Sequence, residues 1–406
     1  MKSLGPAFNR LWGASLTTNL ADGVLSAAAP LLAITLTKNP VLISVLSALA
    51  MLPWLFFAIP IGVIVDRVDR RYLLAGANSV RFLIAGLLAI SISTHTITIY
   101  LLFVATFCIG VCEVTADTTS QSLIPQILGK DQLERGNSRL QISETIVQGF
   151  VGTPISGFLY AAAIYLPFIA NSFGFLVAAV LAATIPVKFL QDLRTSDSDG
   201  TKPDFMAEIR FGMKYLYNNK VLFRLVITTA SIGFCYSMST STIVLFMVQE
   251  LHLKPVFFGI ALSVQAVGAI AGGIAAPQLS VKFGRSRVMT AGIFLSSLIV
   301  LLQGLVPNIY VYIALSTVAA FTISLWNILL MSTYQSVIPA HLYGRVHGTR
   351  RTLVWGLMPF GSLLGGFIAK TGLRAPLIVG GAVATVIATL SLPFLIGVSE
   401  NAEAPQ

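Results

Sequence analysis

Long apolar runs, broken at short intervals by polar loops, make up nearly the whole chain. A helix that crosses a bilayer needs about 20 mainly apolar residues. Stretches near 10–37, 41–65, 72–94, 98–124, 141–162, 164–187, 221–250, 255–281, 288–306, 309–337, 352–370 and 374–397 meet this requirement. The pattern predicts an all-α integral membrane protein of twelve transmembrane helices, numbered here as spans 1 to 12. An even number of spans puts both termini on one side of the membrane. Met1 to Arg10 is too short and too weakly basic for a cleavable leader, and the run from Leu11 to Thr37 is long enough to stay in the bilayer.

Composition fits this picture. The chain has 406 residues, of which 55% are hydrophobic and 10% charged, where soluble domains carry about a quarter charged residues. Its mean hydropathy is +0.83. The net charge of +10 could point to nucleic acid, but the placement of the charges argues against that. All of the 26 lysines and arginines except Lys38, Arg81, Lys254, Lys370 and Arg374 fall in the N-terminal tail or in the loops after spans 2, 4, 6, 8 and 10. Basic loops mark the cytoplasmic side. Both termini are therefore expected in the cytoplasm and the protein in the inner (plasma) membrane.

The longest polar segment, from Lys188 to Lys220, divides the spans six and six. The expected organisation is an N-terminal bundle over 1–187, a cytoplasmic linker over 188–220, a C-terminal bundle over 221–397 and a cytoplasmic tail over 398–406. Within the linker, Phe205 to Tyr217 has the pattern of a short amphipathic surface helix. The two bundles read as diverged copies. "KNPVLIS" at 38–44 answers "LKPVFFG" at 253–259, and "TSQSLIPQIL" at 119–128 answers "TYQSVIPAHL" at 333–342. "GTPISGF" at 152–158 answers "GSLLGGF" at 361–367. Each copy has an even number of helices, so the copies run parallel about an axis along the membrane normal.

The loop after span 2 reads Gly62-Val63-Ile64-Val65-Asp66-Arg67-Val68-Asp69-Arg70-Arg71. It resembles the G-x-x-x-D-R-x-G-R-R/K signature of the major facilitator superfamily, with Asp69 where the family usually has Gly. The loop after span 8 keeps Gly284 and Arg285 but has Val281 in place of the Asp. The segments "FNRLWGASLTTNLADG", "LPWLFFAIPIGVIVDRVDRR", "IPQIL…RGNSRLQ" and "VIPAHLYGRVHG" narrow the resemblance to the branch of enterobactin, macrolide and tetracycline exporters, over nearly the whole chain. It implies two pseudo-symmetric six-helix bundles and alternating access through a cavity lined by spans 1, 4, 7 and 10. It also implies a conformational latch of Gly62, Asp66, Arg67, Arg70, Arg71, Gly284 and Arg285. In that latch Asp66 pairs with Arg70 and faces a helix N-terminus, and Gly62 allows close helix approach. The antiporter motif of span 5 survives only as Gly149, Gly152, Pro154 and Gly157, with Thr153 where Gly is expected; Gly152, Pro154 and Gly157 are assigned to helix packing. The Arg that the family carries in span 4 is missing, and Glu113 and Asp117 stand there instead.

Ionisable residues inside the spans carry the most functional weight. Asp22 and Arg81 fall near mid-membrane, as does Glu113, with Asp117 one turn nearer the cytoplasm. A charge at that depth costs about 3 kcal/mol or more unless it is paired or wetted. A carboxyl in a dry, acid-rich site holds its proton more tightly than one in water, which lets it exchange a proton near neutral pH. Asp22, Glu113, Asp117 and Arg81 are thus candidates for proton coupling, although Asp22 and Arg81 would equally serve as a structural ion pair. Third spans in this fold usually lie on the outside of the bundle.

The second half has no such charges within its spans. Tyr236, Ser239, Gln265, Trp326, Asn327 and Trp355 are cavity candidates there, joined from the first half by Asn19 and Gln148. By the repeat, Asn327 stands in the place of Glu113. Neutral polar and aromatic groups suit an amphipathic cargo; helix–helix hydrogen bonding is the alternative for any single one.

No catalytic constellation emerges. A GK[ST]-type phosphate loop is missing, so ATP is not the evident fuel. Cys108, Cys112 and Cys235 lie in apolar runs and read as small buried residues, with no further ligands for a metal. His95, His252, His341 and His347 fall in loops or at helix ends. The expectation is a monomeric secondary transporter without cofactor or nucleic-acid partner, exporting a small drug-like, macrolide-like or siderophore-like molecule in exchange for protons. An uptake system, an uncoupled facilitator and a non-transporting membrane sensor remain open.

Overall fold

The computed structural model describes residues 4–129, 132–186, 213–338 and 342–402, and every regular element among them is helical. Most of the expected linker lies outside the described residues, as do the end of the C-terminal tail and the side chain of Asp66. Among the described residues, ten helices are long and apolar enough to cross a membrane. They correspond to spans 1, 3, 4 and 6 (Pro6–Leu36, Arg70–Ser93, Ile99–Ile127 and Leu166–Ala183) and to spans 7 to 12 (Lys220–Thr240, Pro255–Phe283, Arg285–Gln303, Ile309–Tyr334, Gly348–Thr371 and Ala375–Gly397).

The remaining two spans are interrupted. Span 2 is built from Pro40–Phe56 and Ala58–Arg67, hinged at Phe57. Pro60 falls in the first turn of the second piece, where its missing N–H is tolerated. Span 5 runs as Leu133–Ser143, a π-helical stretch Glu144–Gly152, and Thr153–Ala162. Stretches of π-helix are often found at functional sites, and here the wide turn lies against span 1. A Cβ at Gly23 would collide with the backbone carbonyl of Gln148, and one at Gly152 would lie 2.8 Å from Gly23 Cα. Small residues let spans 1 and 5 touch backbone to backbone.

Spans 3 and 9 begin at positions that correspond by the repeat, and the two copies start them differently. Asp69 caps span 3, its Oδ1 accepting from Arg71 N at 2.9 Å, a common N-cap arrangement. Gly284 opens span 9 at a φ of 86°, in the left-handed region that favours glycine. The Asp in place of the family's Gly is thus a working cap.

The chain forms two compact units. Unit 1 comprises Met1–Thr37, Leu52–Thr201 and Lys254–Ser263; unit 2 comprises Lys38–Met51, Lys202–Leu253 and Val264–Gln406. Each unit therefore takes one short segment from the opposite half of the sequence. Within unit 1, spans 5 and 8 pack through glycines: a Cβ at Gly157 would meet Val256 O, and one at Gly259 would meet Thr153 O and Pro154 Cα. Thr153 Oγ1 shares a hydrogen bond with Ser263 Oγ at 2.6 Å, so the residue that departs from the motif supplies a polar tie. Gly62 is different, since a Cβ there would meet nothing within 4 Å; close helix approach, expected of it from sequence, is not what it provides here. Replacing Gly259 with Leu should lower stability by about 1–3 kcal/mol through overpacking, whereas Gly62→Ala should leave it unchanged. Thermal unfolding of the two purified variants checks this.

Candidate functional site

The described structure concentrates buried charge in unit 1. Arg81 is 1% exposed and pairs with Asp22, itself 15% exposed. Its guanidinium carbon also lies 3.9 Å from the centre of the Phe175 ring, a cation–π contact. The surrounding spans are tied by polar side chains. Asn171 Nδ2 donates to Ala21 O at 2.6 Å, and Ser172 Oγ donates to Phe82 O at 2.9 Å. A Cβ at Gly174 would lie 3.0 Å from Ala21 Cβ, which brings span 6 against span 1. Span 3 is thus tied to spans 1 and 6 on one face, while Val80, Leu83, Leu87 and Ile90 are exposed on the other, as expected of an outer span.

Glu113 is half-buried on span 4, within electrostatic range of Asp22, Arg81, Asp117 and Glu144. Asp117 is more exposed. Glu144 was missed by sequence reasoning. It opens the π-helical stretch of span 5, just inside the expected boundary, where a loop-end carboxylate looks unremarkable. Glu113 is therefore the group on which three other carboxylates and the Arg81 guanidinium act. Asn19 donates from Nδ2 to Ser15 Oγ at 3.2 Å on its own helix. Gln148 uses its backbone in the contact with Gly23.

Unit 2 holds a cavity of about 310 Å³. Tyr236, Ser239, Trp326, Asn327 and Trp355 line it, in company with Thr229, Ser296, Ser297 and Met358. Five of the eight cavity candidates are thus brought together. Gln265 is half-buried on span 8 and stands apart from this lining. Ser239 is 1% exposed and donates to Cys235 O and to Pro376 O, so its hydroxyl serves helix packing. Span 9 contributes Ser296 and Ser297, which sequence reasoning overlooked because their helix reads as a plain apolar run. Among the described residues, no charged side chain lines the cavity.

Of the latch residues, Arg67 is exposed and Arg70 half-buried. Arg71 reaches Ile185 O at 3.4 Å and stacks on Tyr72. The side chain of Asp66 lies outside the described residues. Among the described residues no group of His, Cys, Asp or Glu could hold a metal ion. His95 and His252 are exposed loop residues.

The model of one protein family, described as transmembrane secretion effector, matches residues 4–405. The chain belongs to this family of major facilitator transporters. Macrolide efflux protein A of Streptococcus pyogenes is 22% identical to this family member over 365 residues, 89% of each chain. The multidrug efflux pump Tap of Mycobacterium tuberculosis is 23% identical over 370 residues, covering 89% of this chain and 86% of that one. Among solved structures, a variant of the nucleoside transporter NupG matches with a TM-score of 0.76 at 12% identity, over 96% of this chain and 99% of that one. A bacterial homologue of the iron transporter ferroportin matches with a TM-score of 0.72 at 13% identity, over 96% of this chain and all of that one. The fold expected from sequence is thus shown, as are membership of the superfamily and the character of a multi-pass membrane transporter.

For this transporter, truncating one partner of the buried pair leaves the other charge uncompensated. Arg81→Ala should destabilise unit 1 by about 3–5 kcal/mol. The double variant Asp22→Asn with Arg81→Gln should recover most of that loss. Denaturant unfolding of the purified proteins reads both; equal damage from single and double variants would show that the pair is not what holds the site.

Proposed function

We propose that this transporter is a proton-coupled exporter of a small amphipathic molecule, acting as a monomer in the inner membrane with both termini in the cytoplasm. The observation that carries the reading is half-buried Glu113, set within electrostatic range of the Asp22–Arg81 pair and of Asp117 and Glu144. Arg81 is paired with Asp22, and half-buried Glu113 feels the like charges of Asp22, Asp117 and Glu144. Glu113, without an ion pair of its own among the described residues, is the group proposed to bind and release the proton. Asp22 then has a second role besides holding Arg81: it loses part of its claim on the guanidinium whenever Glu113 is ionised. Protonation of Glu113 would thus alter how tightly spans 1, 3 and 4 are held together.

The distribution of lysine and arginine supports the orientation. The names of the curated relatives, macrolide efflux and multidrug efflux, support export and a drug-like or macrolide-like cargo, with the uncharged side chains of unit 2 taking up that cargo. The latch role of Gly62, Asp66, Arg67, Arg70, Arg71, Gly284 and Arg285 is proposed on the motif alone. No cofactor and no nucleic acid enter this scheme; membrane lipid is the surrounding solvent.

Everted membrane vesicles test the proposal. With an acid lumen, vesicles carrying the protein should accumulate an uncharged aromatic drug such as chloramphenicol, and Glu113→Gln should reduce the pH-driven part by about tenfold or more, a barrier change near 1.4 kcal/mol. Undiminished pH-driven accumulation in Glu113→Gln would overturn the proton role. Accumulation that ignores the pH gradient in the unaltered protein would favour an uncoupled facilitator.

A further inference from the structure

Every residue lining the 310 Å³ cavity belongs to unit 2. Its volume sits at the low end of ligand pockets, about 300–1,000 Å³, and corresponds to roughly ten waters at about 30 Å³ each. That is room for a compact two-ring group rather than a large macrocycle. Aromatic rings from Tyr236, Trp326 and Trp355 contribute to the wall, with Met358 and Met51 beside them.

Three polar tips have no hydrogen-bond partner among the described residues: the Tyr236 hydroxyl, the Trp326 indole N–H and the Asn327 amide. Tyr236 and Asn327 are exposed, while Trp326 is 3% exposed, and an indole N–H in such surroundings usually finds a partner. An acyl chain filling the cavity would offer none to the indole, whereas an aromatic group carrying a carbonyl or hydroxyl would. The lining holds no charged side chain, so a full charge on the occupant would lose its hydration without compensation. Asn327, the counterpart of Glu113, presents a neutral amide at the position where unit 1 presents an acid.

We infer that this cavity is a binding subsite, wholly within unit 2, for an uncharged aromatic part of the cargo bearing a hydrogen-bonding oxygen. The assignment of a cargo to unit 2 rests on the transporter reading above, but the site itself does not depend on proton coupling.

Photolabelling of the full-length protein in lipid nanodiscs tests it. The probe is benzophenone, an uncharged two-ring ketone that captures methionine readily, so Met51 and Met358 serve as built-in reporters. Two controls carry the same rings with a charge: 4-benzoylbenzoate and (4-benzoylbenzyl)trimethylammonium. Peptide mapping should show benzophenone on Met51 or Met358 at about tenfold higher yield than either charged analogue, the ratio that 1.4 kcal/mol of binding gives. Filling the cavity with Ser297→Leu or, separately, Ala384→Leu should remove that label while leaving labels on lipid-facing residues unchanged. Equal labelling by a charged analogue overturns the inference, as does cavity labelling that survives in both filled variants. So does labelling that emerges only after lipid is stripped away, which would make an acyl chain the occupant. Glu113→Gln should label like the unaltered protein, so failure of proton coupling and failure of the cavity are read separately.

Discussion

A guanidinium with almost no exposed surface must be neutralised where it sits, and Asp22 does this for Arg81. Placing two charges in a low-dielectric interior costs several kcal/mol per ion before their attraction is counted. The arrangement persists because the geometry is closed on several sides. Phe175 covers one face of the guanidinium, Asn171 and Ser172 tie span 6 to spans 1 and 3, and the glycine contacts of spans 1 and 5 hold the backbones together. The pair fixes where spans 1 and 3 meet. Glu113 lies within electrostatic range of it.

The two units divide the polar chemistry unevenly. Unit 1 keeps the charged cluster, the Asp69 cap and the intact loop motif. Unit 2 has a glycine at the matching cap and a cavity bounded by neutral groups. Under the proposed function, such divergence gives unit 1 the group that holds a proton and unit 2 the space that takes an uncharged ring.

Much of this was legible in the residues because membranes impose severe rules. Runs of about 20 apolar residues have little use outside a bilayer, and a charge inside one demands a partner, so Asp22 and Arg81 could be matched before any coordinates. What escaped notice was subtler. Phe57 carries no signal of a hinge beyond the prolines on either side of it. The π-helical turn Glu144–Gly152 contains no proline at all; it accompanies the close approach of Gly23 to Gln148 and Gly152, which is a tertiary fact. Glu144 was passed over for that reason, since its neighbourhood depends on the turn. Ser296 and Ser297 were passed over because span 9 reads as an ordinary apolar helix, and serines there usually bond their own backbone, as these two do to Ile293 O. The role of Asp69 was hidden by the family pattern, which made it look like a defect rather than a cap.

The central claim is that a proton held by Glu113 is released when cargo binds. Proton release can be followed directly, with a pH indicator in weakly buffered detergent solution, as uncharged chloramphenicol is added to the purified protein. The account predicts release of about one proton per bound molecule from the unaltered protein and none from Glu113→Gln, although Glu113→Gln still binds the cargo. Binding without proton release in the unaltered protein, or the same release from Glu113→Gln, would contradict it.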